Sequence, residues 1–184
     1  MLEKKEITLE REKVDMLQLA REVMNSMKFQ FEQQDIAVTL ETYGENFIIE
    51  ADKLHMASVI YNLLDNALKY SSAGSQVSVH IFDRAQYMEV RVSDNGMGIA
   101  AEYKSKIFEQ FFRVPGEGIH NIKGYGLGLS YVNHIIKRHQ GFIEVESELG
   151  KGSTFIVKVP FKDAPVIYYD NNRRVRRISF KLWV

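Results

Sequence analysis

The chain has 184 residues, 45% of them hydrophobic and none of them cysteine; that suffices for one well-filled core with extensions, is short for two domains, and excludes disulfides and thiolate metal sites. Its 24 Lys and Arg balance 24 Asp and Glu, so no global charge points to nucleic acid or to a membrane surface. No apolar run approaches the ~20 residues of a membrane span, and the start Met-Leu-Glu-Lys-Lys-Glu lacks the apolar stretch of a signal peptide, so a soluble, cytoplasmic chain is the expectation.

Asp15 is placed to cap a helix whose apolar residues Leu17, Ala20, Met24, Met27 and Phe31 recur at intervals of three and four. Residues 36–43 and 46–50 read as strands, with Gly44 in the turn between them. Asp52 then caps a second helix that runs to about Tyr70. Residues 76–83 and 87–93 alternate as strands across a short turn, so a hairpin holds Asp94 rigidly at its tip. A short helix is expected over 100–106, followed by an aromatic cluster and by the Gly-rich, polar stretch 114–123, which reads as a mobile lid. Residues 127–139 form a third helix, with Leu129, Val132, Ile135 and Ile136 buried and Gly141 as its terminator. Residues 142–147 and 154–159 make a last hairpin. Beyond Pro160, residues 163–184 hold five basic groups (Arg173, Arg174, Arg176, Arg177, Lys181) against two acids (Asp163, Asp170), giving +3. They read as a basic tail, solvated and disordered, with a partner- or membrane-contacting element as the alternative.

Two stretches carry the chemistry. On the second helix Asn62, Asn66, Lys69 and Tyr70 are spaced i, i+4, i+7, i+8, so two amides and a cation share one face among apolar neighbours. Such a face wants a polar ligand. The second stretch, Asp94-Asn95-Gly96-Met97-Gly98-Ile99, ends an alternating strand with an acid, and its glycines let backbone approach a flat ligand closely.

Together with Phe108-Glu-Gln-Phe-Phe-Arg113 and Gly124-Tyr-Gly126-Leu-Gly128-Leu129, these blocks resemble, in order, the N box, first glycine box, F box and second glycine box of the catalytic and ATP-binding domain of two-component sensor histidine kinases. The resemblance covers roughly residues 7–161. It implies an α+β fold: a two-layer α/β sandwich with a mixed, mostly antiparallel sheet on about three helices, and nucleotide held between the helix layer and an ATP lid. It also implies that residues 1–14 are a linker from a dimerisation hairpin outside this chain, that 15–161 are the catalytic domain, and that 162–184 follow it as a tail.

The family's site residues carry over by position. Asn66 matches the Mg²⁺ ligand, and one carboxamide oxygen with triphosphate oxygens suits that hard cation. Asn62 belongs to the same catalytic face. Lys69 would contact phosphate, and Tyr70 the ribose or the adenine edge. Asp94 would accept a hydrogen bond from the adenine amino group, with Gly96, Gly98 and Ile99 against the ring. Lys123, Gly124, Gly126, Leu127, Gly128 and Leu129 precede or open a helix whose free N–H groups and positive end can hold phosphates. Arg113 would reach the terminal phosphate, and Thr154 would support the adenine site from a neighbouring strand. Phe108, Phe111 and Phe112 read as anchors of the lid.

Other readings are weaker. Gly150-Lys151 is followed by Gly152, not Ser or Thr, and Val145 stands where a P-loop needs its first glycine. None of His55, His80, His120, His134 and His139 sits in the family's phospho-acceptor motif, so the acceptor histidine must come from a separate dimerisation domain; His120 in the lid is the one with a possible nucleotide contact. Gyrase- and chaperone-type ATPases, which share the fold, carry a water-activating glutamate where this chain has Asn62, and an amide is no general base. The resemblance therefore implies phosphoryl transfer to a protein histidine and onward to a response regulator receiver domain, with membrane attachment only through parts of a longer protein and no nucleic-acid partner. The alternatives are an ATPase and a non-catalytic, nucleotide-responsive interaction module.

Overall fold

A computed structural model describes residues 8–115 and 124–161, and the backbone alone of 167–169 and 175–177. Five strands form the main sheet in the order β2-β4-β5-β7-β6, where β2 is Ala37–Tyr43, β4 Gln76–Asp83, β5 Tyr87–Asp94, β6 Phe142–Glu148 and β7 Gly152–Pro160. Only β2 and β4 pair in parallel; the other three pairings are antiparallel. Strand alternation turns Val77, Val79 and Ile81 of β4, Met88, Val90 and Val92 of β5, and Phe155, Val157 and Val159 of β7 onto one buried side. Three helices cover that side: α1 (Met16–Gln33), α2 (Lys53–Tyr70) and α3 (Gly128–Arg138). α2 is the middle one, packed against both α1 and α3.

Asp15 caps α1 by accepting from the N–H groups of Leu17 and Gln18, and Asp52 caps α2 by accepting from that of His55; such a cap is worth about 1 kcal/mol. The buried stripe of α1 is Met16, Leu19, Ala20, Val23, Met27 and Phe31. Leu17 and Met24 lie at its margin, half-exposed, because the helix turns its 16/19/23 row, not its 17/24 row, onto the sheet. α3 ends in a Schellman arrangement, with Gln140 N–H donating to Lys137 O and Gly141 N–H to Ile136 O. The left-handed residue there is Gln140, at φ 60°, and not the expected Gly141. Gly141 is needed for another reason, since a β-carbon on it would sit 2.2 Å from Lys158 O.

Three expectations change. The strands on either side of Gly44 do not pair with each other. β3 (Ile48–Ala51) pairs antiparallel with β1 (Glu12–Asp15) in a small separate sheet, so the end of the segment read as linker is part of the fold. The helix expected over 100–106 is a pair of 3-10 turns, Ala101–Tyr103 and Lys106–Phe108, as suits a stretch too short to hold an α-helix cooperatively. Within the tail, the backbone of β8 (Ile167–Tyr169) pairs antiparallel with that of β9 (Val175–Arg177).

Candidate functional site

The C-terminal half of α2, the tip of β5 and the N-terminal end of α3 converge on one cleft of about 570 Å³. From α2 it receives Asn62, Asp65, Asn66, Lys69 and Tyr70. The Asn62 amide donates to Ser58 O at 2.7 Å, one helical turn back, which leaves its carbonyl oxygen toward α3. The Asn66 amide nitrogen is buried and has no hydrogen-bond partner among the described residues. Lys69 Nζ pairs with Asp65 Oδ2 at 2.5 Å, both partly exposed. A carboxylate thus shares the wall with the cation.

The glycine box is docked on the end of α2. Met97 N–H donates to Tyr70 O at 3.0 Å, and Gly150 N–H to Met97 O at 2.7 Å, so the β6–β7 turn clasps the loop from its other side. A β-carbon at Gly96 would lie 2.2 Å from Tyr70 O, and one at Gly98 would lie 2.0 Å from Glu148 O. Both glycines are therefore required by backbone packed on backbone; Gly98, at φ 69°, also lines the cleft, while Gly96 stands behind it. Half-buried Asp94 receives Gly96 N–H at 2.9 Å. Burial pushes its carboxyl above the ordinary carboxylate value, and the backbone N–H groups of Gly96 and Ser153 pull it back.

At the end of β5 that carries Asp94 the lining includes the apolar Met97, Ile99, Leu149 and Phe155, brought there by the pairing of β5 with β7 and by the hydrogen bonds of Met97 and Ile99 to the β6–β7 hairpin. The other end of the cleft holds the two amides, Lys69, the exposed Arg113, and Gly124, Gly126, Leu127, Gly128 and Leu129. α3 begins at Gly128 with no side chain capping its first N–H groups. One end thus suits a flat ring with a hydrogen-bond donor, and the other an anion.

Of the expected residues, Thr154 is not part of the cleft. It donates to Ser93 Oγ at 2.9 Å on the helix-free face, because alternation along β7 turns Ser153 and Phe155 inward and Thr154 outward. Ser153 takes its place, with its hydroxyl 2.9 Å from that of Ser147, and Ser147 Oγ accepts Ile99 N–H at 2.8 Å. Phe112 lines the cleft, whereas the Phe111 side chain is 71% exposed and that residue holds the second glycine box through its backbone, Phe111 N–H donating to Gly126 O at 2.9 Å. Lys123, His120 and most of the expected lid lie outside the described residues. Sequence reasoning missed Met97, Ser153, Leu149, Tyr103 and Phe155; of these, the period-two series Phe155, Val157, Val159 could have given Ser153 by stepping back two.

Residues 51–163 match the family described as histidine kinase-, DNA gyrase B- and HSP90-like ATPases. The chain belongs to that family. Among curated proteins it is 35% identical over 162 residues to the sensor protein RprX of Bacteroides fragilis, covering 87% of this chain and 31% of that one. It is 33% identical over 141 residues to the sensor protein SrrB of Staphylococcus aureus, covering 75% and 24%. The chain thus spans under a third of the length of these relatives. Among solved structures, the nucleotide-free catalytic domain of the histidine kinase ThkA superposes with TM-score 0.73 at 30% identity, over 83% of this chain and 98% of that one. ThkA has also been solved in complex with the response regulator protein TrrA, where it matches with TM-score 0.71 at 29% identity, over 85% and 43%. This chain is an ATPase-family domain homologous to sensor histidine kinases, and among its described residues no helix is long and apolar enough to cross a membrane.

Proposed function

We propose that the chain binds Mg²⁺-ATP and transfers the γ-phosphate to a histidine of a separate, dimeric phospho-acceptor domain, on the cytoplasmic side of a longer sensor protein. The observation that carries this reading is one cleft with an acid in an apolar nest at one end and two amides, Lys69 and an uncapped helix start at the other. Asp94 selects adenine by accepting from its amino group, and Met97, Ile99 and Leu149 cover the ring. The first N–H groups of α3 and Lys69 hold the phosphates. For this, Lys69 exchanges Asp65 for a phosphate oxygen.

The donor set suits magnesium. No cluster of three or more His, Asp or Glu able to enclose a metal exists among the described residues, yet Asn66 stands in the cleft wall with a carboxamide whose oxygen suits a hard cation while its unpartnered nitrogen can donate to a phosphate oxygen; an ion held by one carboxamide oxygen, phosphate oxygens and water needs no more protein. Asn66 would hold it, and when bound it supplies neutralisation of phosphate charge. In the transfer, an imidazole nitrogen of the acceptor forms the new P–N bond as the bond to the β,γ-bridging oxygen breaks, and ADP leaves. Arg113 at the rim offsets charge on the moving phosphoryl group.

Transfer is favoured over hydrolysis because Asn62 stands one turn before Asn66, where its amide, tied to Ser58 O, cannot take a proton from water as a general base. Radiolabelled ATP with and without a supplied helical acceptor domain is the test. Label should appear on the acceptor and not on this chain, and a receiver domain added afterwards should take it up. Stable labelling of this chain alone, or phosphate release at constant specific activity through further purification, would reject the reading.

A further inference from the structure

The two helices that build the cleft are joined to the incoming segment at a single junction on the far side from the glycine box. Asp52 uses both carboxylate oxygens there. Oδ1 accepts His55 N–H at 3.0 Å, which is all that an N-cap requires; Oδ2 accepts Glu10 N–H at 2.8 Å, across 42 residues of sequence. The backbone N–H of Asp52 donates to His139 Nε2 at 3.0 Å. His139, 2% exposed, ends α3, and its Nδ1 lies 2.8 Å from Ile135 O. A carbonyl only accepts, so the proton sits on Nδ1 and the Nε2 lone pair meets Asp52. Arg11 completes the junction by donating to Arg138 O at 2.9 Å, one of the carbonyls left open at the end of α3.

α2 and α3 are also tied along their length. His55 Nδ1 lies 2.7 Å from the Tyr131 hydroxyl, and at the cleft end Gly128 abuts Asn62. The pair is therefore fixed to itself at both ends, and at one end to residues 10–11, which lead into β1. Asp94, by contrast, is the last residue of β5, and its glycine box meets α2 at Tyr70, the end of that helix opposite the junction. A displacement of the incoming segment would move Asn66, Lys69 and the start of α3 together relative to Asp94.

We propose that Asp52, His139 and Arg11 are positioning residues that couple residues 8–15 to the spacing between the base end and the phosphate end of the cleft. This rests on the nucleotide reading above. Coupling is reciprocal, so nucleotide must act back on the junction.

The test is amide hydrogen exchange read residue by residue on the full chain, with and without a non-hydrolysable Mg²⁺-ATP analogue. The analogue should slow exchange at Glu10 at least about fivefold, beyond any change at Ala37, whose N–H is bonded to Ser75 O away from the junction. Asp52→Asn keeps a carbonyl oxygen for His55 N–H but no second acceptor for Glu10; Arg11→Ala removes the cap on Arg138. Each, with its fold verified by an unchanged near-ultraviolet spectrum, should weaken analogue binding and abolish the Glu10 response, and Arg11→Lys should restore part of both. Analogue binding that leaves Glu10 exchange unchanged, or folded variants that bind as tightly as the original chain, would overturn the coupling alone. No analogue binding by the original chain would overturn the nucleotide reading and the coupling with it.

Discussion

Gly128 stands so close to Asn62 that a β-carbon built on Gly128 would lie 2.7 Å from Asn62 Oδ1. The third glycine of the second glycine box is thus fixed by the first amide of the N box. Gly128 is the first residue of α3, where alanine is no worse a helix former. Gly128→Ala should therefore leave the unfolding midpoint within about 2 °C or raise it, since the clash involves the movable end of a side chain. Binding of the ATP analogue should weaken, while adenosine binding stays near its original value. Equal losses for both ligands by calorimetry would mean that the amide has no part in holding the triphosphate.

Asn66 lines the cleft, and its side-chain oxygen is the proposed metal ligand. Asn66→Ala should weaken ATP binding in Mg²⁺ tenfold or more, about 1.4 kcal/mol, and change adenosine binding little. Removing the metal with a chelator should bring the original chain down to the level of the variant. Persistence of the full difference in chelator would assign Asn66 to the nucleotide itself.

Much of this was legible because its signals are local. The caps Asp15 and Asp52, the hairpin ending at Asp94 and the face shared by Asn62, Asn66 and Lys69 each follow from residues within one element. Pairing between distant strands was not: nothing near Glu12 announces Ile49 or Ala51 as neighbours, and the parallel pairing of Val38 with Val77 joins segments separated by a whole helix. The exchange of Thr154 for Ser153 is an error of one residue in a strand, which moves a side chain to the opposite face. His139 belongs to no motif, and its role depends on Asp52, 87 residues away.

Burial holds the His139 imidazole below its ordinary value of 6.5. A depressed histidine leaves the folded state with fewer bound protons than the unfolded one, so its contribution to stability is complete above about pH 6.5 and declines as pH falls toward the lowered value. The slope is at most about 1.4 kcal/mol per pH unit. Asp52 acts in a different window. Burial alone would raise its carboxyl, but the N–H groups of His55 and Glu10 and the nearby histidines lower it below 3.8, so its contribution is kept until the pH drops beneath that value. Urea unfolding from pH 7.5 to 5 should show a loss of stability that flattens in His139→Gln, whose carbonyl can still accept from Asp52. An identical pH slope in the variant would show that His139 takes up its proton as readily in the fold as in the open chain.

Asp94 is proposed to set the preference for adenine. It ends β5, is fixed by Gly96 N–H, and faces the apolar end of the cleft, where a charge-assisted hydrogen bond competes little with water. Asp94→Ala should weaken ATP binding roughly 10- to 100-fold, corresponding to about 1.5–3 kcal/mol. Asp94→Asn should lose less, because its side-chain carbonyl can accept the same proton after an amide flip. Guanine carries a carbonyl where adenine carries the amino group, so GTP should bind the original chain poorly. The Asn variant can donate to that carbonyl and should tolerate GTP relatively better. Competition of labelled ATP by GTP across the three proteins decides the matter: an unchanged ATP-to-GTP ratio would remove Asp94 from base recognition and leave it as the residue that shapes the turn before Asn95 and Gly96.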